Sequence, residues 1–325
     1  MKKVNWGIIG CGDVTEVKSG PAFNKVVNSS LVAVMRRDAA KAKEYADRHD
    51  VPNWYNNAND LIHNKDVNAI YIATPPSSHF EYAKAAMLSG KPVYVEKPMT
   101  LDVASAEILR DLSITTGVKL TVAHYRRMQP MFKKLKELLT GNAIGDVRFV
   151  QLEYFEKLLS SEELSVPKTA WRVQEEISGG GLFHDLAPHQ LDLMLYFFGD
   201  ADHSAGISFN QSKTYNAADI VSGNILFRNG VIFNGLWCFN SSEHHKDKCE
   251  IVGTEGVISF SVFGDAKIEL NNTLGKQIIL FEKPEHVQQP MINEVVRYFL
   301  GQGPNPCNAE DGVQVMKLLH NFTKQ

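Results

Sequence analysis

The stretch Val4-Asn5-Trp6-Gly7-Ile8-Ile9-Gly10-Cys11-Gly12-Asp13-Val14-Thr15 decides the fold. A short apolar run ends in closely spaced glycines. That pattern predicts a buried strand, a tight turn and a helix start, the opening of a dinucleotide-binding βαβ unit. Gly10 lets the backbone turn sharply, and Gly12 lets a pyrophosphate approach the backbone N–H groups of the helix start. Cys11, Asp13 and Val14 complete this cofactor turn. Thr15 stands at the third glycine position, so a Cβ-branched side chain has to be fitted between helix and strand. An ordinary strand–turn–helix has much the same pattern, so the reading needs the rest of the chain.

The following residues alternate apolar runs with helical patterns. The runs are Val4–Ile9, Leu31–Met35, Ala69–Ala73, Pro92–Val95 and Leu120–Ala123, and the helical segments are Ala39–His49, Phe80–Ser89 and Val103–Thr116. Such alternation predicts a parallel sheet with helices on both faces. Gly20-Pro21 breaks the first helical segment into two short helices. After Pro130 the character changes. A helix, Met131–Thr140, leads to a long strand, Val147–Phe155. The glycine triplet Gly179-Gly180-Gly181 precedes a strongly apolar helix from Leu182 to about Phe198. The remainder reads mostly as strands, joined by turns such as Arg228-Asn229-Gly230 and Thr254-Glu255-Gly256, before two final helices. The expected architecture is α/β, with a doubly wound parallel sheet over residues 1–123. A C-terminal α+β domain over 124–325 carries a large open, mostly antiparallel sheet. The free face of that sheet is broad enough to pair with another subunit, as a homodimer or homotetramer.

Length and composition agree with this. A chain of 325 residues suggests about two domains, and 44% hydrophobic with 22% charged residues suits a packed globular protein. The net charge of −3 offers nucleic acid no electrostatic footprint. Cys11, Cys238, Cys249 and Cys307 form no CxxC pair and read as reduced thiols of a cytoplasmic protein. The apolar run after Met1-Lys2-Lys3 is too short for a signal-peptide core, and no apolar stretch is long enough to span a bilayer.

The end of the second strand selects the dinucleotide. NAD calls for an acid there, on the adenine ribose hydroxyls. Here Val32-Ala33-Val34-Met35 runs into Arg36-Arg37, and the first acid, Asp38, comes two residues late. Arginines suit a 2′-phosphate. Two charge-assisted contacts of roughly 1.5–3 kcal/mol each favour NADP (NADPH) over NAD by roughly 10²–10⁴. Two further loops end parallel strands: Ala73-Thr74-Pro75-Pro76-Ser77-Ser78-His79, whose prolines form a stiff wall for a flat ring, and Glu96-Lys97-Pro98.

Glu96-Lys97-Pro98, the N-terminal glycine turn and Thr74-Pro75-Pro76…His79 together resemble the Gfo/Idh/MocA family of oxidoreductases. Trp171-Arg172, Gly179-Gly180-Gly181, Asp185, His189 and Asp192 supply a second signature, and Gly253-Thr254-Glu255-Gly256 a third. The resemblance spans nearly the whole chain. It implies a Rossmann domain, a C-terminal domain with an open sheet often buried in a dimer or tetramer, and a nicotinamide cofactor between the domains. Thr15 and Arg36 depart from the pattern, and the second departure moves the cofactor to NADP.

The resemblance also implies roles. Asp185 and His189 lie four residues apart on one helix and share a face, with Asp192 near the same stripe. His189 is the expected proton acceptor in oxidation and donor in reduction. Asp185 holds the reacting hydroxyl, and Lys97 stabilises the alkoxide and holds the nicotinamide side. Pro98 restricts Lys97 to an extended backbone. Arg127, Trp171 and Arg172 are further cofactor contacts, the latter two on a loop that lids the cleft. No metal is expected: Asp185 and His189 alone make an incomplete site, and His244-His245 read as solvated. The implied activity is hydride transfer between NADP(H) and a sugar, cyclitol or related carbonyl compound. A non-catalytic dinucleotide-binding regulator and a nicotinamide-dependent redox glycosidase are the alternatives. Substrate identity, reaction direction and subunit number are not legible.

Overall fold

The computed structural model describes residues 1–324. The chain forms two compact units, Met1–Gln129 with Pro284–Val313, and Pro130–Lys283 with the residues from Gln314 on. This departs from the expected division at 123/124, because residues 284–313 return to the first unit. Hydropathy shows that a helix has a buried face but not which sheet covers it.

The first unit contains β1 (Val4–Ile9), β2 (Ser29–Met35), β3 (Asn53–Tyr55), β4 (Ala69–Ile72), β5 (Val93–Val95) and β6 (Leu120–Val122). They lie in the order β3-β2-β1-β4-β5-β6 with every pair parallel. The order reverses at β1, so the loops after β1 and β4 open a crevice where such sheets bind ligands. Strands β4 and β5 are buried throughout, as a sheet covered on both faces requires. Strand β3 and the helix Ala58–His63 were not expected; both are too short to display a period. The Gly20-Pro21 break separates helices Asp13–Val17 and Ala22–Lys25.

An aromatic chain runs through this core. Ring centroids lie 4.8 Å apart for Trp6–Phe23, 5.2 Å for Phe23–Tyr71, 5.1 Å for Tyr71–Tyr94 and 5.5 Å for Trp6–Phe299. Burying each such ring contributes about 2–3 kcal/mol. Phe299 belongs to the helix Gln289–Phe299, whose Met291, Ile292, Val295 and Val296 lie on one buried face.

The second unit contains β7 (Val147–Lys157), β8 (Ala201–Phe209), β9 (Ile220–Phe227), β10 (Ile232–Ser241), β11 (Lys246–Gly253), β12 (Gly256–Phe260), β13 (Lys267–Asn272) and β14 (Gly275–Leu280). Their order is β14-β13-β12-β11-β7-β10-β9-β8; only β7–β10 is parallel. Strand alternation turns Leu152, Tyr154, Phe233 and Trp237 to the buried face. There Trp237 Nε1 donates to Gln190 Oε1 at 2.6 Å, from the buried helix Gly181–Phe198. The opposite face sets Phe149, Ile232 and Leu226 side by side across β7, β10 and β9, with exposures of 41, 47 and 39%. The Thr254-Glu255-Gly256 turn docks on the loop before β7, through Thr254 N–H to Asp146 O (3.0 Å) and Glu255 N–H to Ile144 O (2.9 Å). That family motif is accounted for by packing. Residues 161–178, read as loop, hold three helices of four or five residues and a short 3₁₀ turn. Among the described residues, no helix is long and apolar enough to cross a membrane.

Candidate functional site

Three loops of the first unit, after β1, β4 and β5, carry most of the residues expected to hold a cofactor. At the end of β1 the backbone turns at Gly10, with φ +95°, and the N–H groups of Gly10 and Cys11 both reach Met35 O, at 2.9 and 3.1 Å. A Cβ on Gly10 would stand 2.6 Å from Thr74 Cγ2, so conformation and space both require glycine. At Gly12 a Cβ would meet only Gly10 O, at 4.0 Å, and no side chain caps the helix that starts there. This open backbone fits a dinucleotide pyrophosphate. Thr15 is accommodated by turning its hydroxyl back to Gly12 O, at 2.7 Å. Burial pushes the Cys11 thiol up to about 11, which keeps it protonated and unreactive.

Two arginines follow β2. Arg36 is half-buried, donates its N–H to Tyr55 O at 3.1 Å and its Nη1 to Cys11 O at 3.4 Å; Arg37 is exposed. Asp38 accepts from Lys41 N–H at 3.2 Å and caps the helix Ala39–Arg48. The first acid after β2 is thus engaged in starting a helix.

His79 ties the other two loops together. Its ring is fully buried, with Nε2 at 2.7 Å from Thr74 O and Nδ1 at 2.9 Å from Pro98 O. Burial lowers its pKa, against the pull of the two carbonyls. Pro75 begins the 3₁₀ turn Pro76–Ser78, which leads into the helix His79–Leu88. The Lys97–Pro98 peptide is cis. Glu96 is a buried acceptor: Oε1 receives Tyr71 Oη and Gln288 Nε2, each at 2.6 Å, and Oε2 receives Lys97 N–H at 3.2 Å. Arg127, 5% exposed, pairs through Nη1 with Asp311 Oδ2 at 3.2 Å. Burial first, and the Arg127 cation second, hold neighbouring His124 well below its ordinary pKa.

The second unit carries the residues expected to handle the proton, Asp185 and His189. Gly179, Gly180 and Gly181 all have positive φ, at +90°, +151° and +78°. Ser178 Oγ accepts the Gly181 N–H at 2.9 Å, and His184 Nδ1 lies 3.0 Å from Gly180 O. A Cβ on Gly180 would meet the His184 ring, so the triplet leaves room for that side chain. Asp185 emerges one residue later, with Arg172 Nε 2.9 Å from its Oδ2. Arg172 stacks 4.7 Å from the Trp171 ring centroid and also donates to Lys168 O. His189 and Asp192 are buried on the same helix.

Several supporting residues gave no motif in the sequence. The Phe263 ring lies 5.8 Å from His189 and 5.2 Å from Tyr154, so one aromatic side chain braces both. Asp247 fixes that loop by accepting from Val262, Phe263 and Gly264 N–H, at 3.1, 2.6 and 2.9 Å. Tyr154 Oη donates to Glu156 Oε1 at 2.7 Å. Only the strand alternation of β7 could have marked Tyr154 as inward-facing. His245 is largely exposed and pairs with Glu156 at 3.2 Å. Among the described residues, no three His, Cys, Asp or Glu side chains are grouped to hold a metal ion.

Comparison with known proteins matches this architecture. Residues 4–124 fit the model of the oxidoreductase family with an NAD-binding Rossmann fold, and residues 132–259 fit the GFO/IDH/MocA C-terminal domain. The chain is 47% identical to Oxidoreductase P35 of Formosa agariphila, over 98% of each chain. Levoglucosan dehydrogenase, solved with NADH and levoglucosan, superposes with a TM-score of 0.89 at 20% identity, covering 99% of this chain and 96% of that one. Aldose–aldose oxidoreductase from Caulobacter crescentus, solved with glycerol, gives 0.84 at 21%, over 98% and 96%. The chain belongs to the Gfo/Idh/MocA family of oxidoreductases, with a nucleotide-binding Rossmann unit and a C-terminal unit built on an eight-stranded sheet.

Proposed function

We propose that this oxidoreductase uses NADP(H) to transfer hydride between nicotinamide and a hydroxyl or carbonyl carbon of a sugar, cyclitol or related small polyhydroxylated compound. The observation that carries the cofactor choice is Arg36 at the end of β2, with Asp38 engaged as a helix cap. NADP, when bound, supplies or accepts the hydride. Gly10, Cys11, Gly12, Asp13 and Val14 form its pyrophosphate turn, Arg36 and Arg37 face the 2′-phosphate, and Thr74, Pro75, His79, Glu96 and Lys97 build or support the nicotinamide side. Arg127, Trp171 and Arg172 are the remaining cofactor-side residues. Arg127 acts from its ion pair with Asp311, and Arg172 from its pair with Asp185.

In this reading His189 moves the hydroxyl proton, Asp185 holds the reacting hydroxyl, and Lys97 stabilises alkoxide charge. The second unit binds substrate, and its outer sheet face joins subunits through Phe149, Ile232 and Leu226. Reduced thiols and NADPH chemistry suit the cytoplasm. The sugar-active relatives support the substrate class. The test is nicotinamide absorbance with NADP(H) and NAD(H) against aldoses, inositols, anhydroketoses and dicarbonyls. Turnover is expected with NADP(H), falling roughly 10²–10⁴-fold in His189→Ala and Lys97→Ala. Folded variants that keep full turnover would remove this mechanism. Tight NADPH binding with no turnover on any carbonyl or alcohol would favour the regulator or redox-glycosidase readings.

A further inference from the structure

Four buried side chains behind Lys97 form one closed hydrogen-bond network. Gln288 is fully buried; its Nε2 donates to Glu96 Oε1 at 2.6 Å, and its Oε1 accepts from Tyr94 Oη at 3.0 Å. Tyr71 Oη donates to the same Glu96 oxygen, and the Tyr71 and Tyr94 rings stack at 5.1 Å. The amide cannot be flipped without setting its oxygen against the carboxylate, so Gln288 has one usable orientation. The remaining Glu96 oxygen takes the Lys97 N–H, at 3.2 Å.

Gln288 arrives from 192 residues downstream of Glu96, in a segment that also holds the end of the helix after the cofactor turn. His286 Nδ1 lies 2.6 Å from Val17 O, and the Gln288 N–H reaches Lys18 O at 3.1 Å. Both carbonyls end the short helix that begins at Gly12. His286 and Gln288 thus hold the far end of the helix that follows the pyrophosphate turn, and Gln288 also holds the Glu96-Lys97 loop.

We propose that Gln288 is a positioning residue for Lys97, acting through Glu96, and that His286 and Gln288 hold the lysine loop in register with the helix that follows the cofactor turn. This rests on the reading of Lys97 as catalytic. Glu96 contributes no chemistry to substrate; it anchors the backbone that carries the lysine. The groups facing this carboxylate are Tyr71 from β4, Tyr94 from β5, Gln288, and the adjacent His79 and Lys97.

Two variants test it. Gln288→Met keeps the length and removes the side-chain hydrogen bonds to Glu96, Tyr94 and Tyr71. Gln288→Glu sets a second carboxyl against Glu96, and the pair then retains one proton between them to a raised pH. In the shared-proton state the carboxyl can still donate to Glu96; once that proton leaves, the two repel. Gln288→Met is expected to lower kcat roughly 10- to 100-fold, with substrate KM within about threefold, as misplacement of a catalytic group does. Relative to the parent at the same pH, Gln288→Glu is expected to work at acid pH and lose activity as pH rises through the shared-proton step. A readout free of turnover is competitive acetylation of Lys97 in the cofactor-free protein, followed by mass spectrometry. Gln288→Glu should slow it in the alkaline arm, because two carboxylates favour the ammonium.

Activity that falls only with the folded fraction, with unshifted pH and acetylation profiles, would overturn the positioning role. So would parent-like kcat in both variants. Parent-like turnover in Lys97→Met would instead overturn the reading of Lys97 itself, and the positioning role with it. A dead Lys97→Met beside an unmoved Gln288→Glu profile rejects the positioning role alone.

Discussion

Arg172 and Asp185, thirteen residues apart, meet through an Nε–Oδ2 contact of 2.9 Å, with the guanidinium lying over Trp171. The ring fixes the plane of the guanidinium, and the guanidinium fixes the carboxylate. Lysine can supply the charge but not stack and reach at once. Arg172→Lys is therefore expected to lower kcat/KM about 10-fold and Arg172→Ala about 100-fold. Steady-state rates beside circular dichroism check this; unchanged rates in folded Arg172→Ala would show that the pair does not prepare Asp185 for substrate.

Arg36→Asp should move the cofactor preference. An acid there repels the 2′-phosphate and suits free ribose hydroxyls, so the ratio of NADPH to NADH affinity is expected to fall roughly 10²-fold or more. Fluorescence titration with both dinucleotides measures the ratio. No change in it would mean that Arg36 does not contact the phosphate.

His184 makes stability depend on pH. Burial, opposed by the hydrogen bond to Gly180 O, lowers its pKa from 6.5 to about 4. The unfolded chain binds the proton first on acidification. The stabilising effect is full above pH 6.5 and is lost as pH falls toward 4, by about 3 kcal/mol if no other group compensates. Urea denaturation at pH 7 and pH 4.5 measures the slope. His184→Gln should flatten it, and an equally steep slope in that variant would assign the effect elsewhere.

Ile232 lies between Phe149 and Leu226 on the open face of the second sheet. If that face joins subunits, Ile232→Lys buries a charge in the joint and dissociates it, while secondary structure stays intact. Light scattering with size exclusion reads the result. An oligomer of unchanged mass and stability would place the interface on another surface.

Much of the framework was legible because its signals are local. The Gly10–Gly12 turn, Arg36 and the apolar runs of the first sheet declare themselves within a few residues, as does the 3.6-residue period of the helix carrying Asp185 and His189. Strand β3, three residues long with none buried, had no period to read. The glycine triplet was legible as unusual backbone but not as the seat of the His184 ring, since that contact needs the helix to be folded. Arg127 read as a cofactor contact, but Asp311, which pairs with it, lies 184 residues away in sequence, beyond the reach of any pattern.

The sequence by itself determined the alternation of strands and helices, the dinucleotide turn, the basic residues after β2 and the pairing of Asp185 with His189 on one helical face. Each depends on dihedral preference or on side-chain periodicity, which act over one or two turns of chain. Tertiary structure alone decided that residues 284–313 return to the first unit, that Gln288 closes the network on Glu96, and that Arg172 rests between Trp171 and Asp185. Those contacts join segments whose separation along the chain carries no information about distance. Packing and the need to satisfy buried polar groups select them only once the sheets have formed.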